Sequence, residues 1–187
     1  VEPDGVLVDR CKKGDVNSFE LLVLKYQRKI FGIIYRLTNN PEVVEDIAQE
    51  VFLKVYKALD NFKGKSSFYT WIYRITVNTC FNYKKANKEN QYQNLESDSE
   101  SDKFFDAAEN LLETDQLIER QELSKKINEA INSLNEEQRT IIILRDVEGV
   151  SYDEIGKILS CPSGTVRSRL FRARKELKTK LENYIGV

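Results

Sequence analysis

Apolar residues at Phe19, Leu22, Val23, Tyr26, Ile30, Ile33, Ile34 and Leu37 recur at spacings of three and four. That period keeps one stripe in line on a helix, so a long amphipathic helix is expected after a cap at Gly14-Asp15. Asn39-Asn40-Pro41 ends this helix and starts the next. Asn40 suits the N-cap, Pro41 the first helical position, and Glu42 complements the helix dipole. Ile47, Val51, Val55 and Leu59 stripe the second helix, and Ala48, Phe52 and Tyr56 widen the stripe. Beyond a loop at 60–66, Ser66 or Ser67 can cap a third long helix through about Lys85, with Phe68, Ile72 and Ile75 on one face. These helices predict a first domain over residues 1–87.

Residues 88–115 break the pattern, being polar and acidic with little periodicity before Leu111. Such a composition buries too little apolar area to offset the entropy of ordering, so a flexible acidic linker is expected, with a plain spacer as the alternative. A second domain is expected over 116–187. Leu123, Ile127, Ala130, Ile131 and Leu134 form its first stripe, and Asn135-Glu136-Glu137-Gln138 reads as the capped start of a helix through Val147, closed by Gly149. Ser151-Tyr152-Asp153-Glu154 has the form of a capping box, in which Ser and Glu satisfy each other's backbone N–H. A short helix through Leu159 follows. After Ser160-Cys161, Pro162 can open a last helix striped by Val166, Leu170, Ala173, Leu177 and Leu181. No strand pattern, phosphate-cradling glycine loop or repeat emerges. The expected fold is all-α, two small helical domains joined by the linker.

Composition sharpens this picture. Among 187 residues there are only 8 Gly and 3 Pro, with 41% apolar and 32% charged positions, a balance that favours helices and excludes wholesale disorder. The complete absence of His removes a required part from Ser-His-Asp and Cys-His catalysis and from His-ligated metal sites. Cys11, Cys80 and Cys161 are far apart and odd in number, which fits a reducing cytoplasm rather than a disulfide framework or metal knuckle. No apolar run approaches a membrane span, and no signal-peptide pattern is recognisable. The net charge of −1 conceals segregation. Ten acids oppose two bases from Leu95 to Glu122, whereas seven bases face only Glu176 from Ser163 to Leu181. Asymmetry of this kind points to a nucleic-acid surface with an acidic segment elsewhere.

A short capped helix, a turn of about four residues and a basic helix together make the helix-turn-helix pattern, whose second helix enters the major groove. With the apolar stripe turned to the core, Gly164, Ser168, Phe171, Arg172 and Lys175 face outward and Arg167 lies on the flank. Arg can grip guanine with two hydrogen bonds, Ser can bond a base edge or phosphate, and Phe can touch a thymine methyl. A basic helix that is merely solvated is the alternative. In the first domain Phe62, Phe68, Tyr69, Trp71, Tyr73, Phe81 and Tyr83 are interleaved with Lys63, Lys65, Arg74, Lys84 and Lys85. A helix hides one face, so several of these rings are expected outside, where unpaired bases stack on them. Taken singly, Phe68 or Trp71 reads better as core.

The stretches Asp46-Ile47-Ala48-Gln49-Glu50-Val51-Phe52, Phe68-Tyr69-Thr70-Trp71-Ile72-Tyr73-Arg74-Ile75 with Asn78, and Ser151-Tyr152-Asp153-Glu154-Ile155-Gly156 leading to residues 164–174 resemble those of bacterial extracytoplasmic-function sigma factors of the sigma-70 family. The resemblance covers nearly the whole chain outside the linker. It implies a subunit that binds core RNA polymerase and directs it to promoter DNA, with no catalytic residue, cofactor or metal of its own. It assigns Asp46, Gln49, Glu50 and Phe52 to the clamp helices of the largest polymerase subunit. Phe62, Lys63, Gly64, Lys65, Ser66, Phe68, Arg74, Asn78 and Asn82 fall to the minus-10 element and its flipped base. Ser163, Gly164, Thr165, Arg167, Ser168, Phe171, Arg172 and Lys175 fall to the minus-35 element, in a domain that also touches the polymerase flap. The resemblance further implies an anti-sigma factor as a partner, and an acidic linker that threads toward the RNA exit channel. The rival readings are a dimeric helix-turn-helix repressor, which would not need the aromatic and basic stretch, and a DNA recombinase, which would need a nucleophile in an α/β domain.

Overall fold

The computed structural model describes residues 2–91 and 114–185, all of whose regular elements are helical. They are α1 (Asp4–Cys11), α2 (Val16–Thr38), α3 (Val44–Ala58), α4 (Phe68–Gln91), α5 (Thr114–Asn132), α6 (Glu136–Ile142), α7 (Tyr152–Leu159) and α8 (Ser163–Ile185), with 3-10 turns at Pro41–Val43 and Leu59–Asn61. The chain divides into two compact units, the first holding α1 to α4 and the second the bulk of α5 to α8. The expected flexible linker falls largely on residues 92–113, outside the described residues. Helix α4 runs on to Gln91 rather than stopping near Lys85, and α5 starts at Thr114.

In the first unit the local signals act as the sequence suggests. Asp15 caps α2 by accepting from the Ser18 N–H and Oγ–H, and these hydrogen bonds hold its carboxyl below the usual carboxylate range. Asn39 ends α2 in the left-handed region at φ 52, and Asn40 accepts from the Glu42 N–H to open the following turn. Leu22, Ile30, Ile33, Ile34 and Leu37 of α2 are buried together with Ile47, Val51 and Val55 of α3, each worth about 1.5–3 kcal/mol of burial. The cap of α4 is Ser67, whose Oγ accepts from the Thr70 N–H at 3.1 Å.

Two features depart from the sequence reading. Helix α1 has no counterpart in the sequence pattern, yet it buries Leu7 and Val8. Its Asp4 accepts from Lys25 Nζ and Tyr26 Oη of α2, each at 2.5 Å. The exposed ring cluster expected on α4 is also smaller than the sequence suggests. Phe68 is only 4% exposed and Tyr73 is fully buried, while Phe62, Tyr69, Trp71, Phe81 and Tyr83 are half-buried. Helix α4 packs against both α2 and α3, so a wide arc of its circumference is core and only a narrow strip stays outside.

In the second unit Asn135 caps α6 by accepting from the Gln138 N–H at 2.9 Å. The helix expected to run regularly to Val147 instead widens into a π-helical turn at Ile143–Val147, with the Glu148 N–H bonded to the Ile143 carbonyl. The wider turn accompanies burial of four consecutive residues, Ile141, Ile142, Ile143 and Leu144, more than one α-helical stripe can hide. Of the α5 stripe, Ala130, Ile131 and Leu134 are buried, whereas Leu123 and Ile127 remain exposed. Arg139 donates to the carbonyls of Asn132 and Leu134 and ties α5 to α6; burial lowers its pKa from the ordinary arginine value.

The corner between α7 and α8 depends on a close backbone approach. A Cβ built on Gly156 would stand 2.7 Å from the Cys161 carbonyl oxygen. The obstructing atom is backbone, so even the Cβ of Ala forces the chain to move there, and a β-branched side chain cannot fit without separating the two helices. Gly156→Val should therefore cost about 3 kcal/mol, read as a fall in the melting temperature of the second unit with that of the first unchanged.

Candidate nucleic-acid and polymerase interfaces

Helix α7 opens with the complete capping box. The Glu154 N–H donates to Ser151 Oγ at 3.3 Å, and the Ser151 N–H donates back to Glu154 Oε2 at 3.2 Å. Ser160, at φ 55, turns the chain into α8, where Pro162 accepts from the N–H groups of Thr165 and Val166 just ahead of the first helical residue. Val166, Leu170 and Ala173 are buried, and Leu177 and Leu181 half-buried, so the stripe faces the core as expected. Ser163, Gly164, Arg167, Ser168, Arg172 and Lys175 are exposed, Thr165 is half-buried, and Phe171 is 72% exposed. A phenyl ring that far out of the core on a basic helix is available to a partner.

The bases of α8 separate into two groups by the partners they meet. Arg169 pairs with Glu137 of α6, and Arg174 forks onto both carboxylate oxygens of Asp146. Hydrogen bonding to Asp146 raises the Arg174 pKa above the ordinary value. These two guanidiniums are committed to holding α8 against its own unit. Arg172 and Lys175 make no ion pair among the described residues, and Arg167 lies with its guanidinium 5.9 Å from the centre of the Tyr152 ring. Arg145 approaches that same ring at 4.8 Å while donating to the Val150 carbonyl. Tyr152, part of the capping box, thus has two guanidiniums close to its ring at the start of α7. The signal for it was the aromatic residue directly behind the N-cap serine.

On α4, Arg74, Asn78 and Asn82 are exposed and follow one another at intervals of one turn. Half-buried Trp71 leads the same strip. The loop before it has fixed ends. Phe62 packs its ring 4.8 Å from Trp71 and 6.1 Å from Phe68, and Ser67 is held by its cap. Between them Lys63, Gly64 and Lys65 are exposed, Ser66 is half-buried, and Gly64 takes φ 66, a left-handed conformation that admits glycine without strain. The placement of Phe68 corrects its assignment to the minus-10 surface. Its ring lies between Tyr26, Phe62 and Trp71, because the first residue of α4 faces α2, and it supports the loop from beneath.

Asp46, Gln49 and Glu50 are exposed on one face of α3, and Phe52 is half-buried beside them. That face continues through Leu53, 52% exposed, and Tyr56, 50% exposed. Sequence reasoning missed Leu53 and had assigned Tyr56 to the core stripe. The signal was present, since Leu53 follows Asp46, Gln49 and Glu50 at helical spacing. Glu50 pairs with Lys54 at 2.6 Å, and Lys54 donates to Thr79 of α4 at 3.2 Å.

Comparison with known proteins identifies two family regions along the chain. Residues 22–89 match the sigma-70 region 2 family and residues 124–177 the sigma-70 region 4 family. The chain belongs to the sigma-70 family, in its extracytoplasmic-function branch. The RNA polymerase sigma-H factor of Pseudomonas aeruginosa is 41% identical over 184 residues, covering 97% of this chain and 95% of the relative. The ECF RNA polymerase sigma-E factor of Escherichia coli is likewise 41% identical, covering 97% and 96%. Among solved structures, CnrH in complex with the cytosolic domain of CnrY aligns with a TM-score of 0.70 at 21% identity, over 97% of this chain and 99% of that one. RpoE from Bartonella quintana, in complex with the anti-sigma factor NepR, aligns with a TM-score of 0.72 at 24% identity, over 88% and 96%. These two likenesses show the fold. As a sigma factor the protein is a DNA-binding regulator that works with core RNA polymerase in promoter-specific initiation of transcription, which displaces the repressor reading. Among the described residues no helix is long and apolar enough to cross a membrane.

Proposed function

We propose that the two units divide promoter recognition between them, with residues 1–87 and 116–187 as the functional domains and 88–115 as their acidic connector. The exposed face of α8 reads the minus-35 element through Ser163, Gly164, Thr165, Arg167, Ser168, Phe171, Arg172 and Lys175. The observation that carries this assignment is the sorting of the basic residues, in which Arg169 and Arg174 are engaged within the unit and Arg172 and Lys175 are exposed without an ion pair among the described residues. The strip Arg74, Asn78 and Asn82, with Phe62, Lys63, Gly64, Lys65 and Ser66, opens and holds the minus-10 element. The second domain also meets the polymerase flap, and the connector runs toward the RNA exit channel, where its negative charge mimics nucleic acid. The protein acts in the cytoplasm without catalytic activity of its own. CnrH and RpoE bound to their partners support an anti-sigma factor for this chain as well. Run-off transcription with core enzyme over a promoter library tests the whole reading: initiation confined to templates sharing minus-35 and minus-10 elements is expected.

The clamp helices of the largest polymerase subunit take the α3 face, with Asp46, Gln49, Glu50 and Phe52 joined by Leu53 and Tyr56. An acidic rim around exposed apolar side chains fits a basic and apolar partner surface. Asp46→Lys combined with Glu50→Lys should weaken binding to core polymerase about fivefold or more while leaving helicity nearly intact, since the Glu50–Lys54 pair it breaks is half exposed and worth only about 0.2–0.5 kcal/mol. A titration of labelled protein with core enzyme measures this, and unchanged affinity would remove the assignment.

A further inference from the structure

The loop assigned to the minus-10 element is exposed at Lys63, Gly64 and Lys65, yet a loop that captures one base must present its groups in a single geometry. Its downstream end is fixed by the Ser67 cap and by the Trp71 N–H donating to the Ser67 carbonyl. Its upstream end is fixed at Phe62, whose N–H donates to the Leu59 carbonyl at 3.0 Å. The Phe62 carbonyl accepts from Lys12 Nζ at 2.5 Å, and the same ammonium lies 5.9 Å from the centre of the Phe62 ring. Lys12 is the C-cap of α1, fifty residues away in sequence. The other end of α1 is held through Asp4 to Lys25 and Tyr26, and the Tyr26 ring meets Phe68 at 5.5 Å. Helix α1 therefore reaches the loop by two routes, Lys12 to Phe62 and Asp4 through Tyr26 to Phe68.

We propose that α1 is a strut for the minus-10 loop and that Lys12 is its positioning residue, holding the Phe62 carbonyl and ring so that residues 63–66 are presented in one conformation. The proposal rests on the minus-10 assignment made above. In this role Lys12 acts through the Phe62 carbonyl and ring that it holds. It is exposed, so the core survives its replacement, and the effect belongs to the loop.

The test uses the full chain with core RNA polymerase and a duplex promoter carrying 2-aminopurine in its minus-10 element. Lys12→Met keeps the aliphatic stem and removes the donor, whereas Lys12→Arg keeps a donor. Lys12→Met should slow opening of the duplex about tenfold, because a misplacement near 1 Å costs up to about a hundredfold when geometry is the catalyst. Its polymerase affinity and melting temperature should match those of the wild type. The loss should shrink on a template already mismatched across the minus-10 element, and Lys12→Arg should restore most of the rate. Opening by Lys12→Met at the wild-type rate overturns the strut, as does a loss that tracks weaker polymerase binding or a lower melting temperature, or one that Arg leaves in place. A wild-type chain that opens duplex normally while Asn78→Ala and deletion of 63–65 have no effect overturns the minus-10 assignment itself, and the strut with it.

Discussion

Asn78→Ala should slow open-complex formation on duplex promoters by about 10–100-fold, the equivalent of losing roughly 1–3 kcal/mol of base capture. Opening a duplex costs a few kcal/mol per extruded base, and a protein offsets that only by holding the freed base in a pocket or on a ring. Asn78 has the required chemistry, since an amide donates and accepts along a base edge. It also has the required position, exposed on α4 between Arg74 and Asn82, one turn from each. Deleting residues 63–65 should produce the same defect, because their exposed lysines and the left-handed Gly64 are what the loop can close over a base. Both defects should shrink on templates mismatched across the minus-10 element, where the opening cost has been removed. Stopped-flow 2-aminopurine fluorescence on paired and mismatched templates reads the difference. An equal loss on both, with normal polymerase binding, would assign these residues to another step.

What could be read from the chain alone follows the range over which each determinant acts. Helix starts at Asp15, Asn135 and Ser151 are set by side chains within three residues of the N–H groups they satisfy, so a linear sequence displays them. Helix α1 escaped because its two buried residues, Leu7 and Val8, are adjacent, and eight residues carry too little periodicity to stand out. The burial of Phe68 and Tyr73 depends on α4 meeting two neighbours at once, a tertiary fact that leaves no period in the sequence. Tyr56 went the other way: it lies on the widened stripe of α3, yet its ring packs edge-on against Phe19 at 4.9 Å and stays half outside. The π-helical turn at Ile143–Val147 was equally hidden, because four consecutive apolar residues suit a buried strand, a buried helix or a widened turn. The candidate sites were legible in residue type and order. The partners that commit some residues and release others were not.

Arg172 and Arg174 illustrate that limit and give the second large effect. Two positions apart on one basic helix, they fall on different faces, and Asp146, twenty-eight residues before Arg174, engages Arg174 alone. Arg172→Ala should cost about 1–3 kcal/mol and relax discrimination at particular minus-35 positions, as should Arg167→Ala, because a guanidinium that grips guanine with two hydrogen bonds is worth that much against the wrong base. Lys178→Ala should instead weaken every promoter variant alike and reduce the salt dependence of binding, the mark of a phosphate contact. Arg174→Ala should leave the ranking of promoter variants unchanged and lower stability by about 0.5–1 kcal/mol, since its pair with Asp146 is half exposed and solvent screens much of it. Binding of the four variants to a set of single-base minus-35 substitutions, at two salt concentrations, resolves the three behaviours. If Arg172→Ala and Lys178→Ala gave the same uniform loss on every site, the exposed face of α8 would be gripping the backbone, and sequence would have to be read elsewhere. A change of specificity confined to Arg167 and Arg172, with none at Arg174, would tie base reading to the side chains that the unit's own acids leave unpaired.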